Sequence, residues 1–366
     1  MEKPYISELV LNNFRNYSYK IFNFANDYNA IVGNNGMGKT NILEAISIFG
    51  DSKGLRNADT KDLINIQNQE TNDILFSLFI KIQNSDYEKI LITCKKEEGS
   101  YKKNITVDGE QVKKQSILNE IFKINYITPQ MDTFFLDSSS LRRKFLDKTA
   151  SLLYVDHYEI VKKYEFFVKE RMKILANETK NDLWLDIVEK KITELGVSIA
   201  SIRNQVVENL NNIFESYNLS FPVGIIEIKG DIENMLLTNK ASDVEKYYLN
   251  KLKENRIDDF KSKKTNFGLH KSDLIMIHKS KQMPANLCST GEQKLLLISL
   301  VIIRCIFSKN INKGIPILLL DEVCSHLDKN VKELLFKELE KLNIQIFLTG
   351  LEEGDFNNLT QNIIKL

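Results

Sequence analysis

The stretch GNNGMGKT, residues 33 to 40, matches the pattern G-x-x-x-x-G-K-[ST]. The short apolar run AIV precedes it, and a helical pattern with one apolar side follows from Thr40 to Phe49. A strand, a glycine loop and a helix in this order predict a phosphate-binding loop, because glycines let successive backbone N–H groups point at phosphate oxygens. The residues predicted to bind a nucleotide here are Gly33, Asn34, Asn35, Gly36, Met37, Gly38, Lys39 and Thr40.

The last two residues of this loop have separate predicted roles. Lys39 places its charge between the β- and γ-phosphates, and Thr40 supplies a hydroxyl to Mg²⁺. The helix that starts there directs its positive end at the anion. ATP and Mg²⁺ are therefore the predicted cofactors.

The run IPILLLDE, residues 315 to 322, supplies two acids for the same site. Its continuous apolar part is typical of a parallel strand that is buried on both faces. Asp321 ends that strand at the carboxyl edge, where an α/β sheet places its ligand, and its carboxylate can hold the Mg²⁺ water shell. Glu322 follows directly and is predicted to orient or deprotonate the attacking water. Asp321 and Glu322 are the predicted catalytic residues.

A second loop of this kind is STGEQ, residues 289 to 293. It combines a small hydroxyl, a glycine and a helix N-terminus, which again makes an anion site. A nucleotide in the first loop already has its phosphates cradled, so a second loop from the same chain would be redundant. The pattern therefore predicts that Ser289, Gly291 and Gln293 contact the γ-phosphate held by a neighbouring chain. Two chains related by a twofold axis would then enclose two ATP molecules.

The chain reads as an α/β half, a helical insertion and a second α/β half. Apolar residues recur at spacings of three and four from Leu183 to Tyr217, which predicts a helix of roughly 50 Å with a coiled-coil-like seam. The segment 141–178 is its expected antiparallel partner. The predicted domains are residues 1–139, the N-terminal part of an ATPase head, 140–264, a mainly helical inserted domain, and 265–366, the C-terminal part of the head. Whether the insertion protrudes as an arm or belongs to a compact helical lobe stays open at this stage.

Composition and sequence patterns argue against several classes of protein. Lys+Arg 50 against Asp+Glu 49 leaves a net charge of +1, which makes no case by itself for a nucleic-acid partner. The four cysteines lie far apart, so neither a zinc site nor a disulfide framework is implied. The N-terminus lacks a signal-peptide pattern, and the longest apolar run, residues 295–303, is too short to span a bilayer. A soluble cytoplasmic protein without a membrane partner is expected.

The three motifs together resemble the ABC-type ATPase head that SMC proteins share. The amino-acid sequence around them is similar to that of the RecF family of bacterial recombination mediators. The similar blocks are, in order, LNNFRNY, GNNGMGKTNILEAI, SSLRRKFLD, GLHKSDL, STGEQKLLLISL and LLLDEVCSHLD. These blocks run from residue 9 to residue 328, so the resemblance covers nearly the whole chain. NFRNY and RRKFLD are not general features of ABC ATPases. The expected fold is thus an α/β ABC-type P-loop head that carries a helical insertion with a short antiparallel helical pair.

The resemblance implies further site residues. The segment Ser325 to Asp328, which contains His326 and Leu327, would be the D-loop at a dimer interface, and Arg15 would lie near the nucleotide. Gln130 would be the Q-loop residue, where the family commonly has Glu. In GLHKSDL, His270 and Asp273 match the family's usual G-P-H-R-D-D-L, while three other positions differ. LTG, residues 348 to 350, lacks the switch histidine of transporter ATPases, so no γ-phosphate sensor is assigned there.

The resemblance also implies a function in DNA repair, DNA replication and the SOS response. ATP would close a homodimer on duplex DNA near a single-strand gap, and slow hydrolysis would reopen it. RecO and RecR would be its partners in loading RecA, and it would be associated with the nucleoid. The basic block Arg142, Arg143 and Lys144 is the predicted DNA contact, and two other lysine groups, residues 162–163 and 261–264, are weaker candidates.

Other functions remain possible at this stage. A transporter ATPase subunit would rarely carry an insertion of this size, and an SMC protein would need a far longer coiled coil. A nuclease-coupled ATPase would need an acid-rich metal domain after the head. An ATP-binding switch with negligible turnover, or an SMC-like ATPase with a target other than DNA, fits the same motifs.

Overall fold

The computed structural model describes residues 2–50, 53–65, 73–113, 116–176, 182–311, 314–325, 327–356 and 362–366. The chain forms two compact units, one from residues 1–132 with 304–366 and the other from residues 133–303. None of the described helices combines the length and apolar composition that a membrane crossing requires.

The described strands, in chain order, are β1 Tyr5–Phe14, β2 Tyr17–Asn23, β3 Tyr28–Val32, β4 Phe76–Gln83, β5 Lys89–Glu97, β6 Ser100–Val107, β7 Glu110–Val112, β8 Phe122–Ile127, β9 Gly224–Lys229, β10 Asp273–His278, β11 Met283–Pro284, β12 Ile315–Leu320, β13 Gln345–Gly350 and β14 Asn362–Lys365. The described helices are α1 Lys39–Ile48, α2 Ser116–Ile121, α3 Ser139–Leu153, α4 His157–Ala176, α5 Asp182–Ser216, α6 Asp231–Leu236, α7 Ala241–Glu254, α8 Arg256–Ser262, α9 Thr290–Asn310 and α10 Lys329–Leu342.

A five-stranded parallel sheet organises the first unit. Its order is β14-β3-β13-β12-β8, and every neighbouring pair runs parallel. The central strands β12 and β13 are apolar and almost entirely buried, as expected for a sheet covered on both faces. Because the strands are parallel, the residues that follow β3, β12 and β13 meet at one edge of the sheet.

A six-stranded antiparallel sheet completes this unit, in the order β2-β1-β4-β5-β6-β7. Apolar residues alternate along its strands, so that Leu11, Leu78 and Ile92 are cross-strand neighbours on the buried face. The predicted turn at Asp108 and Gly109 is confirmed, with φ of 49° and 90°. The buried side chains of both sheets and of α1 form one continuous hydrophobic core.

The long helix predicted from the apolar spacing is present in the second unit as α5, with 35 residues. Its partner is α4, which lies within the segment expected to pair with it. Val188, Ile192 and Val197 of α5 pack with Tyr164 of α4 and Tyr248 of α7 in a second hydrophobic core. The expected antiparallel pair of helices is therefore α4 and α5.

The strand LIMIH, which is residues 274–278 of β10, does not lie in the parallel sheet with the C-terminal strands. It forms a separate three-stranded sheet, β11-β10-β9, and β9 comes from inside the predicted helical insertion. The boundaries 139/140 and 264/265 stay predictions, while the compact units divide after residues 132 and 303. The apolar pattern of LIMIH indicates a strand but not its partner strands, so the sheet that it joins is known only from the structure.

Two buried arginines tie the helices of the second unit together. Arg171 of α4 is fully buried, and its guanidinium donates to Glu189 at 2.9 Å, to Asp259 at 2.7 Å and to the carbonyl of Leu252. Arg203 of α5 forms two 2.9 Å bonds with Asp147. Burial raises the pKa of Asp147, but the charge of Arg203 outweighs it and, with other hydrogen bonds, lowers that pKa to about 2.

We predict that Arg171→Met destabilises the second unit by about 3–5 kcal/mol, because it leaves two buried carboxylates without this cation. Lys173→Met removes an exposed pair with Glu170 on the same helix and should change stability by less than about 1 kcal/mol. Trp184, the one tryptophan of the chain, lies on α5 and reports urea unfolding of this unit by fluorescence. Equal stabilities for the two variants would contradict a structural role for Arg171.

Candidate functional site: a nucleotide-binding cleft

The loop GNNGMGKT connects β3 to α1 and adopts a conformation that needs glycine. Gly36 and Gly38 have φ of 85° and 105°, in the left-handed region. A Cβ at Gly38 would also lie 2.6 Å from Nδ2 of Asn16 and 2.7 Å from the hydroxyl of Tyr17. The loop ends where α1 begins at Lys39, so the unbonded N–H groups of the first helical turn belong to the same site.

The block NFRNY, residues 13 to 17, stabilises this loop through hydrogen bonds, a role that the sequence pattern did not indicate. Nδ2 of Asn16 donates to the carbonyl of Met37 at 3.2 Å, and Nδ2 of Asn41 donates to Oδ1 of Asn16 at 2.8 Å. The hydroxyl of Tyr17 donates to the carbonyl of Gly38 at 3.3 Å. Burial raises the pKa of Tyr17 to about 12, so this hydroxyl keeps its proton at neutral pH.

Lys39 lies over the loop with its side chain almost wholly buried. Its ammonium donates to the carbonyls of Gly33 and Asn34, the latter at 3.1 Å. These bonds hold a positive charge at the mouth of the loop, where the predicted role of Lys39 requires it.

Asp321 follows β12 and contacts the end of the loop. Oγ1 of Thr40 donates to Oδ1 of Asp321 at 3.0 Å, and Oγ1 of Thr349 donates to the same oxygen at 2.8 Å. Burial raises the pKa of the Asp321 carboxyl, and the two hydroxyls oppose that shift. A hydroxyl beside a carboxylate is a donor set that suits Mg²⁺, which prefers hard oxygen ligands.

Glu322 adopts a backbone conformation that is unusual for its residue type. Its φ is 50°, which costs a non-glycine residue about 1 kcal/mol or more. Its N–H donates to Oγ1 of Thr349 at 2.8 Å. Glu322 lines the same cleft as the glycine loop; the other residues that line it are Asn35, Gly36, Gly38, Lys39, Thr40, Asn41 and Arg56.

Two arginines lie near the loop and have different hydrogen-bond partners. Arg15, predicted to lie near the nucleotide, forms a two-bond pair with the buried Glu44 at 2.8 and 2.6 Å and also donates to the carbonyl of Asp62. Arg56, which sequence reasoning missed, lines the cleft and donates to Asn41 at 2.8 Å. Arg56 also lies 3.5 Å from Glu44, so both arginines pair with the same buried carboxylate. Contact of either arginine with a nucleotide stays a prediction.

The STGEQ loop lies in the second unit at the start of α9. Ser289 and Glu292 form a reciprocal cap, with Oγ of Ser289 donating to Oε2 of Glu292 at 3.0 Å. A bond from Lys281, together with those from Ser289, lowers the pKa of Glu292 to about 2. Gln293 is buried and donates to the carbonyl of Cys288 at 2.8 Å, whereas Gly291 is exposed with open space around it. Ser289 and Gly291 are thus presented to solvent, and Gln293 supports the loop.

The predicted D-loop and Q-loop residues are placed as follows. Asp328 caps α10 by accepting from the N–H of Val331 at 2.9 Å, and Ser325 is exposed. His326 lies outside the described residues. Gln130 is exposed in the turn that follows β8.

The predicted DNA contacts Arg142 and Arg143 are occupied by bonds within the second unit. Arg142 forms a two-bond pair with Asp273 at 2.7 and 2.9 Å and also donates to three backbone carbonyls. Arg143 donates to the carbonyl of Ser272 at 2.6 Å, and burial lowers the pKa of its guanidinium. Lys144 is exposed. The block RRKFLD therefore holds the loop GLHKSDL.

The comparison with known proteins agrees with this geometry. A family model described as the RecF/RecN/SMC N terminal domain matches residues 5–366. The DNA replication and repair protein RecF of Mesorhizobium japonicum is 34% identical over 360 residues, which are 98% of this chain and 94% of that protein. The protein of the same name from Rickettsia felis is 34% identical over 369 residues, covering 100% and 99%.

Solved structures share the fold. The recombination mediator protein RecF-ATPrS of the RecFOR pathway superposes with a TM-score of 0.86 at 23% identity, covering 100% of this chain and 96% of that one. The Smc head domain with an extended coiled coil from Pyrococcus furiosus, bound to the C-terminal domain of ScpA, gives a TM-score of 0.53 at 18% identity, covering 97% and 92%. The fold is therefore that of an ABC/SMC-type ATPase head, and the chain belongs to the RecF family.

Proposed function

We propose that this chain is an ATP-dependent clamp on DNA that acts in DNA replication and repair. The observation that carries the proposal is the bond between Thr40 and Asp321 at the glycine loop, with Glu322 on the same cleft. Its relatives at 34% identity are named DNA replication and repair proteins, and a structure with the same fold is named for RecF-ATPrS.

The cleft has the groups that a nucleoside triphosphate with Mg²⁺ requires. Lys39, Arg56 and the N–H groups at the start of α1 supply positive charge to the phosphates. Thr40 and Asp321 would hold Mg²⁺, which when bound supplies neutralising charge at the β- and γ-phosphates. Oγ1 of Thr40 and Oδ1 of Asp321 are 3.0 Å apart, so the two groups are already close enough to bind the same ion.

Glu322 is the proposed group for hydrolysis. Its carboxylate orients a water whose oxygen bonds to the γ-phosphorus, while the bond to the β–γ bridging oxygen breaks. The water gives up a proton to the carboxylate, which passes it on to the γ-phosphate as that is released. The products are ADP and inorganic phosphate. Slow turnover suits a switch, because the ATP-bound state must last long enough to act.

The exposed Ser289 and Gly291 support a dimer in which each nucleotide is shared. In this arrangement the start of α9 from one protomer faces the γ-phosphate that the other protomer's Lys39 holds. Gln293 keeps the loop in shape, and Ser325 and Asp328 lie at the interface. ATP would close the dimer, and hydrolysis would open it.

DNA is the proposed substrate of the clamp, with single-strand gaps in duplex DNA as its sites. Lys144 is the exposed member of the basic block, so it is the proposed phosphate contact, while Arg142 and Arg143 hold the backbone from which it projects. RecO and RecR are the proposed partners in loading RecA, because a structure with this fold is named for the RecFOR pathway.

We predict that Glu322→Gln lowers ATP turnover by about 100- to 10,000-fold, because it removes the group that activates water. Nucleotide affinity should stay within about twofold, since the amide keeps the shape of the carboxylate. Lys39→Ala should instead weaken nucleotide binding by about 10- to 100-fold or more, through loss of charged hydrogen bonds. Calorimetric titration and a phosphate-release assay separate the two effects; normal turnover in Glu322→Gln would rule out its role.

Ser289→Arg is expected to leave nucleotide binding by the monomer unchanged and to prevent the ATP-dependent dimer, because a large cation replaces a small hydroxyl at the shared phosphate. Ser216→Arg, at the exposed end of α5, makes the same chemical change away from this loop and should dimerise normally. Size-exclusion chromatography with light scattering measures both. An intact ATP-bound dimer of Ser289→Arg would overturn the shared-nucleotide arrangement.

Lys144→Gln should weaken binding to gapped duplex DNA and lower the slope of log K against log[salt] by about 0.9, the loss of one phosphate contact. The loss should be equal for two DNA sequences, because no base is read. Fluorescence anisotropy over a salt series makes the measurement. An unchanged salt slope would move the DNA surface away from the block RRKFLD.

A further inference from the structure

Thr349 occupies the point where the strands of the site converge. It is the last residue but one of β13, which lies between β3 and β12 in the parallel sheet. Its backbone is in register with Ile31 of β3, and the preceding Leu348 is in register with Leu320 of β12. Thr349 is 1% exposed, so its side chain is fixed between the strand that carries the glycine loop and the strand that carries the acids.

The hydroxyl of Thr349 bonds to both acids at once. It donates its proton to Oδ1 of Asp321 and accepts from the N–H of Glu322, each at 2.8 Å. A hydroxyl has one donor and two acceptor positions, so the two bonds use different parts of the same group. Threonine also has a stiff χ1, which limits the positions that this oxygen can take.

The bond to the N–H of Glu322 secures a conformation that a glutamate rarely adopts. With φ at 50°, the backbone of Glu322 leaves the extended conformation just after β12, and Glu322 lines the cleft together with Lys39 and Thr40. A residue held in such a conformation needs support from its surroundings. Thr349 supplies that support from the neighbouring strand β13.

We propose that Thr349 is a positioning residue for ATP hydrolysis, which fixes Asp321 and directs Glu322 at the attacking water. The inference rests on the proposed function, because it concerns the hydrolysis step at the same cleft. Thr349 does not touch the nucleotide in this proposal. Its effect passes through one carboxylate oxygen and one backbone N–H, so it should act mainly on turnover and only slightly on nucleotide binding, through Asp321.

The substitution Thr349→Val removes the hydroxyl and keeps the shape of the side chain. We expect ATP turnover to fall by about 10- to 100-fold, the usual effect of losing a group that orients a reacting residue. Nucleotide affinity should stay within about threefold. Thr349→Ser retains the hydroxyl and should keep at least about a third of the wild-type turnover, with some loss because its χ1 is less restricted.

A double-variant cycle with Glu322→Gln separates positioning from general stability. If Thr349 acts mainly by directing Glu322, the double variant should turn over ATP at most about threefold more slowly than Glu322→Gln alone, the remainder being its effect through Asp321. A multiplicative loss, or an equal loss of turnover and nucleotide affinity in Thr349→Val, would overturn the positioning role. Melting temperatures identify a variant that does not fold, and Thr349→Ala then replaces Thr349→Val in the same cycle.

Wild-type turnover distinguishes the two proposals. Normal turnover in both wild-type protein and Thr349→Val would contradict the role of Thr349 and leave the clamp intact. A wild-type protein that binds ATP without measurable turnover, on DNA or off it, would contradict the hydrolysis step and the role of Thr349 together.

Discussion

One carboxylate oxygen links the elements of the nucleotide site through hydrogen bonds. Oδ1 of Asp321 accepts from Thr40 at the end of the glycine loop and from Thr349 on β13, while the backbone of Asp321 continues into Glu322. These residues come from distant parts of the sequence: Thr40 and Asp321 alone are 281 positions apart. They meet because β3, β13 and β12 are adjacent and parallel, so that their carboxyl ends share one edge. The phosphate loop, its acids and their conformation all depend on that order of strands.

The second unit uses buried charge in a different way. Arg171 and Arg203 link helices through carboxylates, and Arg142 and Arg143 link α3 to the loop before β10. Desolvated pairs of this kind are costly to break, so they fix how the helices pack. Arg142 and Arg143, two members of the predicted DNA-binding block, are therefore engaged in bonds within the unit, and the exposed Lys144 is the proposed phosphate contact.

The local parts of this fold could be predicted from the sequence. The glycine loop, the strand that precedes Asp321 and the long helix α5 all follow from patterns within about 35 neighbouring residues. Contacts between distant residues could not be predicted in this way. The pair Arg142 and Asp273 spans 131 positions, and the pairing of β9 with β10 joins strands about 50 residues apart. Thr349 and Arg56 belong to none of the nucleotide-binding motifs in the sequence, so their place at the site is known only from the structure.

Sedimentation velocity with ADP, with ATP and with ATP plus gapped duplex DNA tests the central claim most directly. The account predicts a monomer with ADP, a dimer with ATP and a more stable dimer on DNA, because the γ-phosphate and the exposed loop before α9 must meet to close the clamp. A monomer under all three conditions, with ATP bound, would contradict it and leave a P-loop ATPase whose target is not a clamped DNA.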